Sequence, residues 1–315
     1  MLQIKLILSF LFIIKISAFA EFGVPHFDMK ELLNAATLDV KVDQDWHVVK
    51  GRVDTRQKLV NIYVGDFWPG QAYRVPVRMI VPVDRKAKGF HLTGGHQSMK
   101  LRKDAQLNPI ESELIQGGVG LVYTVVQKLS RSDYGELAQA IHEKFIKTLN
   151  PRHTVKYWGW PASLMRCVTL AYSEKDYFIE GKVALSGGSK NGASPTVALI
   201  HDKRLTAVHA SVSPMFESPL RLCDEAAWKE LEQYNKLHPP KKGRSPHAFL
   251  GGVFGPIYNY DALAAGHSWD DLKQLAYKMQ KHYFVSKNME QLKERDVDLY
   301  FHPGTHDFVA FDVPH

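Results

Sequence analysis

Gly187-Gly188-Ser189-Lys190-Asn191-Gly192 lies between the apolar run "KVALS" and a helix-like run, "ASPTVALI". A serine at a sharp strand-to-helix crossing can act as a nucleophile, provided its neighbours are small enough for the two backbones to approach. Gly187 holds the position two before the serine, as in G-x-S-x-G. Asn191 stands two after it, with the glycine displaced to Gly192. Asparagine tolerates left-handed backbone better than most residues, so the crossing stays feasible. Gly187 and Gly192 also have the spacing of a phosphate loop, but Ala193-Ser194 follows where that loop requires Lys and then Ser or Thr. A tight turn without chemistry is the remaining alternative.

A serine hydroxyl needs a base within hydrogen-bond reach, and the base needs an orienting acid. His306, in "YFHPGTHDF" after the last apolar strand-like run, has the position of the base, and His302 reads as structural. Glu217, in "SVSPMFES", is the favoured acid; Asp261, Asp270 and Asp271 are alternatives, the last two resembling a helix N-cap. Asp307 adjoins His306 and is expected to point away from it. A tetrahedral intermediate also needs donors for its oxyanion. Gly94-Gly95-His96, after "FHLT", and the amide of Lys190 fall where such donors are expected.

These residues require a scaffold that gathers strand ends. "WHVVKGRV", "KLVNIYV" and "YRVPVRMIVP", separated by turn residues, read as antiparallel strands. Beyond them strands alternate with helices. The strands are 89–93, 119–126, "KVALS", "LTAVHASVS" and 297–302. The helices carry Leu137, Ile141, Phe145 and Leu149, then Trp160, Leu164, Cys167, Val168 and Ala171, then about 190–201, 224–236 and 269–282. This order implies an α/β fold, a mainly parallel sheet with helices on both faces, preceded by a β-rich N-terminal segment. Ligands of such sheets bind beyond the carboxyl ends of the strands, where Gly94, Ser189, Glu217 and His306 follow. The expected division is 1–20 as a signal peptide, 21–84 as the β-rich segment and 85–315 as the catalytic domain.

Three stretches, "YGELAQAIHEKFIKTLN", "WGWPASLMRCVTLAY" and "KVALSGGSKNGASPTVALIHDKRLTAV", resemble the PhoPQ-activated pathogenicity-related family of secreted α/β-hydrolase-like proteins. Trp160-Pro161, Met165, Gly187, Ser189, Lys190, Gly192, Asp202 and Arg204 carry the likeness over roughly 85–215. The crossing also resembles that of glucuronoyl esterases, in which a basic residue and Asn-Gly follow the serine. The resemblance implies the hydrolase fold, Ser189 as nucleophile and His306 by position, and supplies no substrate; the expected partner is a small-molecule or carbohydrate-linked ester. It departs from the family in lacking a clear acid-bearing strand before "VDLYFH"; "HYFVSKN" is the nearest candidate.

Composition narrows the other classes. "MLQIKLILSFLFIIKISAFA" has the lysine, apolar centre and small-residue end of an export signal, and its uninterrupted apolar run is too short for a stable membrane anchor. Secreted or periplasmic residence is expected. Removing that segment takes away Lys5 and Lys15 and no acid, lowering the formal charge from +7 to +5. Basic residues are dispersed among acids, which argues against nucleic-acid binding. Cys167 and Cys223 allow one disulfide and no CxxC zinc or redox site. His302 and His306 are separated by Pro303-Gly304, which excludes the helical histidine pair of a zinc site. No cofactor or metal is expected. The expected function is an exported serine esterase; the alternative is a hydrolase-like secreted binding protein without catalysis. Oligomeric state is not legible.

Overall fold

Alternating apolar side chains in the first third of the chain have one face to bury, and the computed structural model shows them doing so in long antiparallel strands. Residues 26–94, 98–101, 104–125, 131–188, 190–211, 225–239 and 261–302 are described. The antiparallel strands are β1 (Lys41–Val49), β2 (Thr55–Asp66) and β3 (Ala72–Pro82). Val60, Ile62 and Val64 alternate along β2 into the core. β1 starts five residues earlier than the sequence pattern suggests. Its pairing with β2 is interrupted by register shifts, as befits a strand at a sheet edge.

The remaining strands are β4 (Ala87–Thr93), β5 (Gly120–Thr124), β6 (Phe178–Gly188), β7 (Ala207–Ser211) and β8 (Asp298–His302). All eight form one sheet in the order β1-β2-β3-β5-β4-β6-β7-β8. β3 pairs antiparallel with β5, so the β-rich strands extend the same sheet. From β5 through β4, β6, β7 and β8 every pairing is parallel. β4 and β6 approach closely at an irregularity between Lys88 and Phe90. Gly89 makes this possible: its φ is +72°, and a Cβ there would lie 2.1 Å from the Lys182 carbonyl oxygen.

Helices cover both faces. They are α1 (Met29–Leu32), α2 (Pro109–Gln116), α3 (Arg131–Thr148), α4 (Trp160–Ser173), α5 (Lys190–His201), α6 (Glu225–Leu237), α7 (Trp269–Tyr283) and α8 (Met289–Glu294). Ile115 of α2 packs with Ile80, Leu121 and Tyr123 on one face, whereas α4, α5 and α7 join the larger core on the other. Parallel strands feeding covering helices, with an antiparallel extension at one end, constitute an α/β-hydrolase-like fold.

Helix α4 is buried from Trp160 to Ala171, including the charged Arg166. Its Nε donates to the Tyr63 carbonyl at 3.1 Å and its Nη1 to the Glu31 and Asn34 carbonyls at 2.9 Å each, while Nη2 is buried without a hydrogen-bond partner among the described residues. Glu31 and Asn34 belong to an N-terminal strap that carries α1 and a 3-10 turn, Ala35–Thr37. "HYFVSKN" is not a strand. Tyr283 closes α7, Val285–Asn288 form a 3-10 turn, and the buried Phe284 and Val285 explain the apolar character that suggested otherwise. Among the described residues β7 pairs directly with β8.

Candidate active site

The crossing singled out by its glycines joins two buried elements. Val183 and Leu185 anchor β6, and Val197, Ala198 and Leu199 anchor α5. β6 ends at Gly188 and α5 begins at Lys190, leaving one residue between strand and helix. That residue, Ser189, lies outside the described residues, as does the Lys190 side chain.

Parallel register aligns the strand exits. Thr93 is opposite Ser186, and its hydroxyl donates to the Ser186 carbonyl at 3.2 Å. Gly188 is opposite Ser211, and Ser211 is opposite His302. The ends of β4, β6, β7 and β8 therefore form one edge, with neighbouring strands about 4.8 Å apart. Gly94 is buried directly after β4. Gly95, His96, Glu217 and His306 lie outside the described residues; in the sequence they follow β4, β7 and β8.

The alternative acids are engaged or placed elsewhere. Asp261 Oδ2 is 2.7 Å from His142 Nε2, beside an open groove of about 450 Å³ that Lys147 and His267 also line. Asp271 completes a capping box with Ser268 at the start of α7, and Asp270 is exposed in the same turn. This agrees with the helix-cap reading of "SWDD". His302 is exposed at the end of β8, its ring 6.3 Å from that of His209.

Sequence reading missed a serine–histidine hydrogen bond. His91 Nε2 lies 2.8 Å from Ser186 Oγ, three residues before Ser189. Burial lowers the His91 pKa, with Glu111 opposing the shift weakly, so the neutral imidazole is favoured. Both residues stand within strands rather than at their exits, and the bond ties β4 to β6. Two residues 95 positions apart give no periodic signal; only the β4–β6 pairing brings them together.

Asp202 and Arg204, part of the family resemblance, stand at the opposite end of α5. Asp202 is 1 % exposed, and Arg204 meets both its oxygens, Nε to Oδ1 at 2.9 Å and Nη2 to Oδ2 at 2.7 Å. Arg204 also donates to the Met165 carbonyl at 3.1 Å and to Thr169 Oγ1 at 3.0 Å, both on α4. Arg295 donates to the carbonyls of Leu199, Asp202 and Leu205. The bond to Leu199 satisfies a carbonyl in the last turn of α5, a group that a helix end leaves open.

Other chemistries find less support. Cys167 is free and buried, and burial pushes its thiol pKa up to about 12, which keeps it protonated. Cys223 lies outside the described residues. Among the described residues no group of three or more His, Cys, Asp or Glu side chains is disposed to hold a metal. No helix among them is long and apolar enough to cross a membrane.

No protein-family model matches the chain, and no curated protein matches it. The resemblance to the PhoPQ-activated family therefore rests on the quoted motifs alone. Similar solved structures include a CE15 glucuronoyl esterase from Teredinibacter turnerae T7901, at 11% identity and TM-score 0.40, covering 88% of this chain and 80% of that one. An acetyl xylan esterase from Paenibacillus sp. R4 has 12% identity and TM-score 0.42, with coverage of 87% and 84%. A glucuronoyl esterase from Solibacter usitatus has 14% identity and TM-score 0.40, with coverage of 90% and 88%. Likeness at this level carries no mechanistic weight, and the fold stands on the strand order and the two helical layers.

Proposed function

We propose that this chain is an exported serine hydrolase that cleaves carboxylic esters through an acyl-enzyme, with Ser189 as nucleophile. The observation that carries the reading is the passage from β6 to α5 through one residue, at an edge where β6, β7 and β8 end in register beside the end of β4. Ligands of open parallel sheets bind at such edges.

In this mechanism Ser189 Oγ attacks the ester carbonyl while His306 accepts its proton and Glu217 orients the imidazole. The Lys190 amide and the Gly94–His96 loop hold the oxyanion. Collapse of the intermediate breaks the ester C–O bond, and His306 protonates the departing alcohol. Water, deprotonated by the same imidazole, then releases the acid and regenerates Ser189. Residues 1–20 would direct the chain out of the cytoplasm, to a secreted or periplasmic location. The sequence resemblance to glucuronoyl esterases makes carbohydrate-linked esters the first substrates to assay, alongside small aryl and alkyl esters.

Labelling with a fluorophosphonate probe tests the reading. Wild-type protein and Ser186→Ala are expected to react, and Ser189→Ala is not. His306→Ala is expected to lose labelling and turnover while Asp307→Ala retains them; the reverse result would move the proposed role to Asp307. A folded wild-type protein that neither labels nor hydrolyses esters would overturn the proposal in favour of a hydrolase-like binding protein.

A further inference from the structure

Three histidines outside the candidate site meet where the N-terminal strap docks. His26 precedes α1, His201 ends α5, and His282 is near the end of α7. The His26 and His282 ring centroids are 5.7 Å apart, as are those of His201 and His282, the latter pair stacked. His26 Nε2 lies 2.9 Å from the Tyr157 carbonyl, and His201 Nε2 lies 2.9 Å from the His282 carbonyl. A carbonyl only accepts, so both imidazoles carry the proton on Nε2. Tyr283 Oη donates to the Tyr157 carbonyl and also contacts His26.

The Tyr157 and His282 carbonyls favour the charged form of His26 and His201, but desolvation outweighs them and no neighbouring charged group among the described residues adds to that support. Arg152, before the π-helical turn Val155–Gly159, and Lys281 on α7 are the charged groups acting on them from neighbouring elements, and both are cationic. The phenols of Tyr157 and Tyr283 are the remaining titratable neighbours. Asp28, on the strap, accepts a bond from the Glu31 amide and caps α1. Among the described residues no carboxylate acts on the cluster.

We propose that residues 26–38 form an acid-released latch, held closed by the uncharged imidazoles of His26, His201 and His282. The latch closes over α4, α5 and α7. Phe27 packs against the His201 ring, with centroids 4.6 Å apart, and Leu32 and Leu38 are buried. The Leu32 carbonyl accepts from Thr169 Oγ1 at 2.7 Å, and the Glu31 and Asn34 carbonyls accept from the buried Arg166. Opening would hydrate Arg166 and Thr169 and loosen the helical layer that contains α5.

The pH direction follows from burial. Desolvation lowers His26 from its usual 6.5 to about 3 and His201 to about 4, and also lowers His282. The undocked strap therefore binds more protons than the docked one between about pH 6.5 and pH 4. Docking is at full strength above this window and weakens as pH falls through it.

Hydrogen exchange on the full chain at pH 7 and pH 4.5, corrected for intrinsic rates, tests the latch. The opening equilibrium of 29–38 should rise at least about tenfold at the lower pH, while amides of β2 and β3 stay protected. His26→Gln and His201→Gln keep an N–H donor without titrating, and each should reduce the rise. In the wild type, imidazole NMR shifts should show the histidines charging only as the strap opens. Unchanged exchange, equal opening of β2 and β3, or the same pH response in the double variant would overturn the proposal.

Discussion

At its C-terminal end α5 is held by charge-assisted hydrogen bonds, whereas at its N-terminal end it follows β6 after a single residue. The first end joins Asp202, Arg204 and Arg295 to each other and to carbonyls of two helices, and Asp202 loses all contact with water in doing so. The second is surrounded in sequence by glycine, serine and asparagine. Both ends contribute residues to the same family-like motif, but their physical demands differ. A buried ion pair needs charge and fixed geometry; a sharp crossing needs small residues and an unobstructed exit. A motif that spans both ends therefore mixes an anchoring end with the end at which chemistry is proposed.

The contrast can be broken at either end. Ser189→Ala should have the largest effect, lowering ester turnover by about 10⁴-fold or more while leaving the thermal midpoint within about 2 °C. Loss of stability without loss of turnover would mean that the crossing serves only structure. Asp202→Ala strands a guanidinium and should cost about 2–3 kcal/mol in urea unfolding, a value below the fully buried range because Arg204 keeps 24% of its side chain exposed. Its turnover per folded molecule should remain near wild type. Arg295→Met leaves the carbonyls of Leu199, Asp202 and Leu205 without this donor and should cost about 1–2 kcal/mol by the same measurement. Lys190→Ala should have the smallest effect, with kcat/KM within about threefold for neutral esters, because the proposed oxyanion donor is the backbone amide. A hundredfold loss would assign the ammonium group a direct part.

Strands were the most legible part of the chain. Alternation in β2 and β3 and apolar continuity in β6 report burial on one face or two, a local property of sequence. Helices α4, α5 and α7 were legible for the same reason. Residues 26–38 and α2 were not, since each is short and stabilised by particular bonds: Arg166 to strap carbonyls, and the Asn108–Glu111 capping box. "HYFVSKN" shows the opposite failure, where buried aromatic and β-branched residues close a helix instead of forming a strand.

Local sequence thus determined the glycine-lined crossing before α5, the candidate nucleophile and the strand–helix alternation, because small-residue tolerance and burial period act over a few neighbouring positions. Tertiary structure alone decided that β5 lies between β3 and β4, that His91 bonds Ser186, that Asp261 meets His142, and that three histidines gather around the strap. Each of these joins residues far apart in the chain. Such partners are selected by strand register, helix packing and the need to satisfy buried polar groups, none of which is written in the spacing of either residue alone.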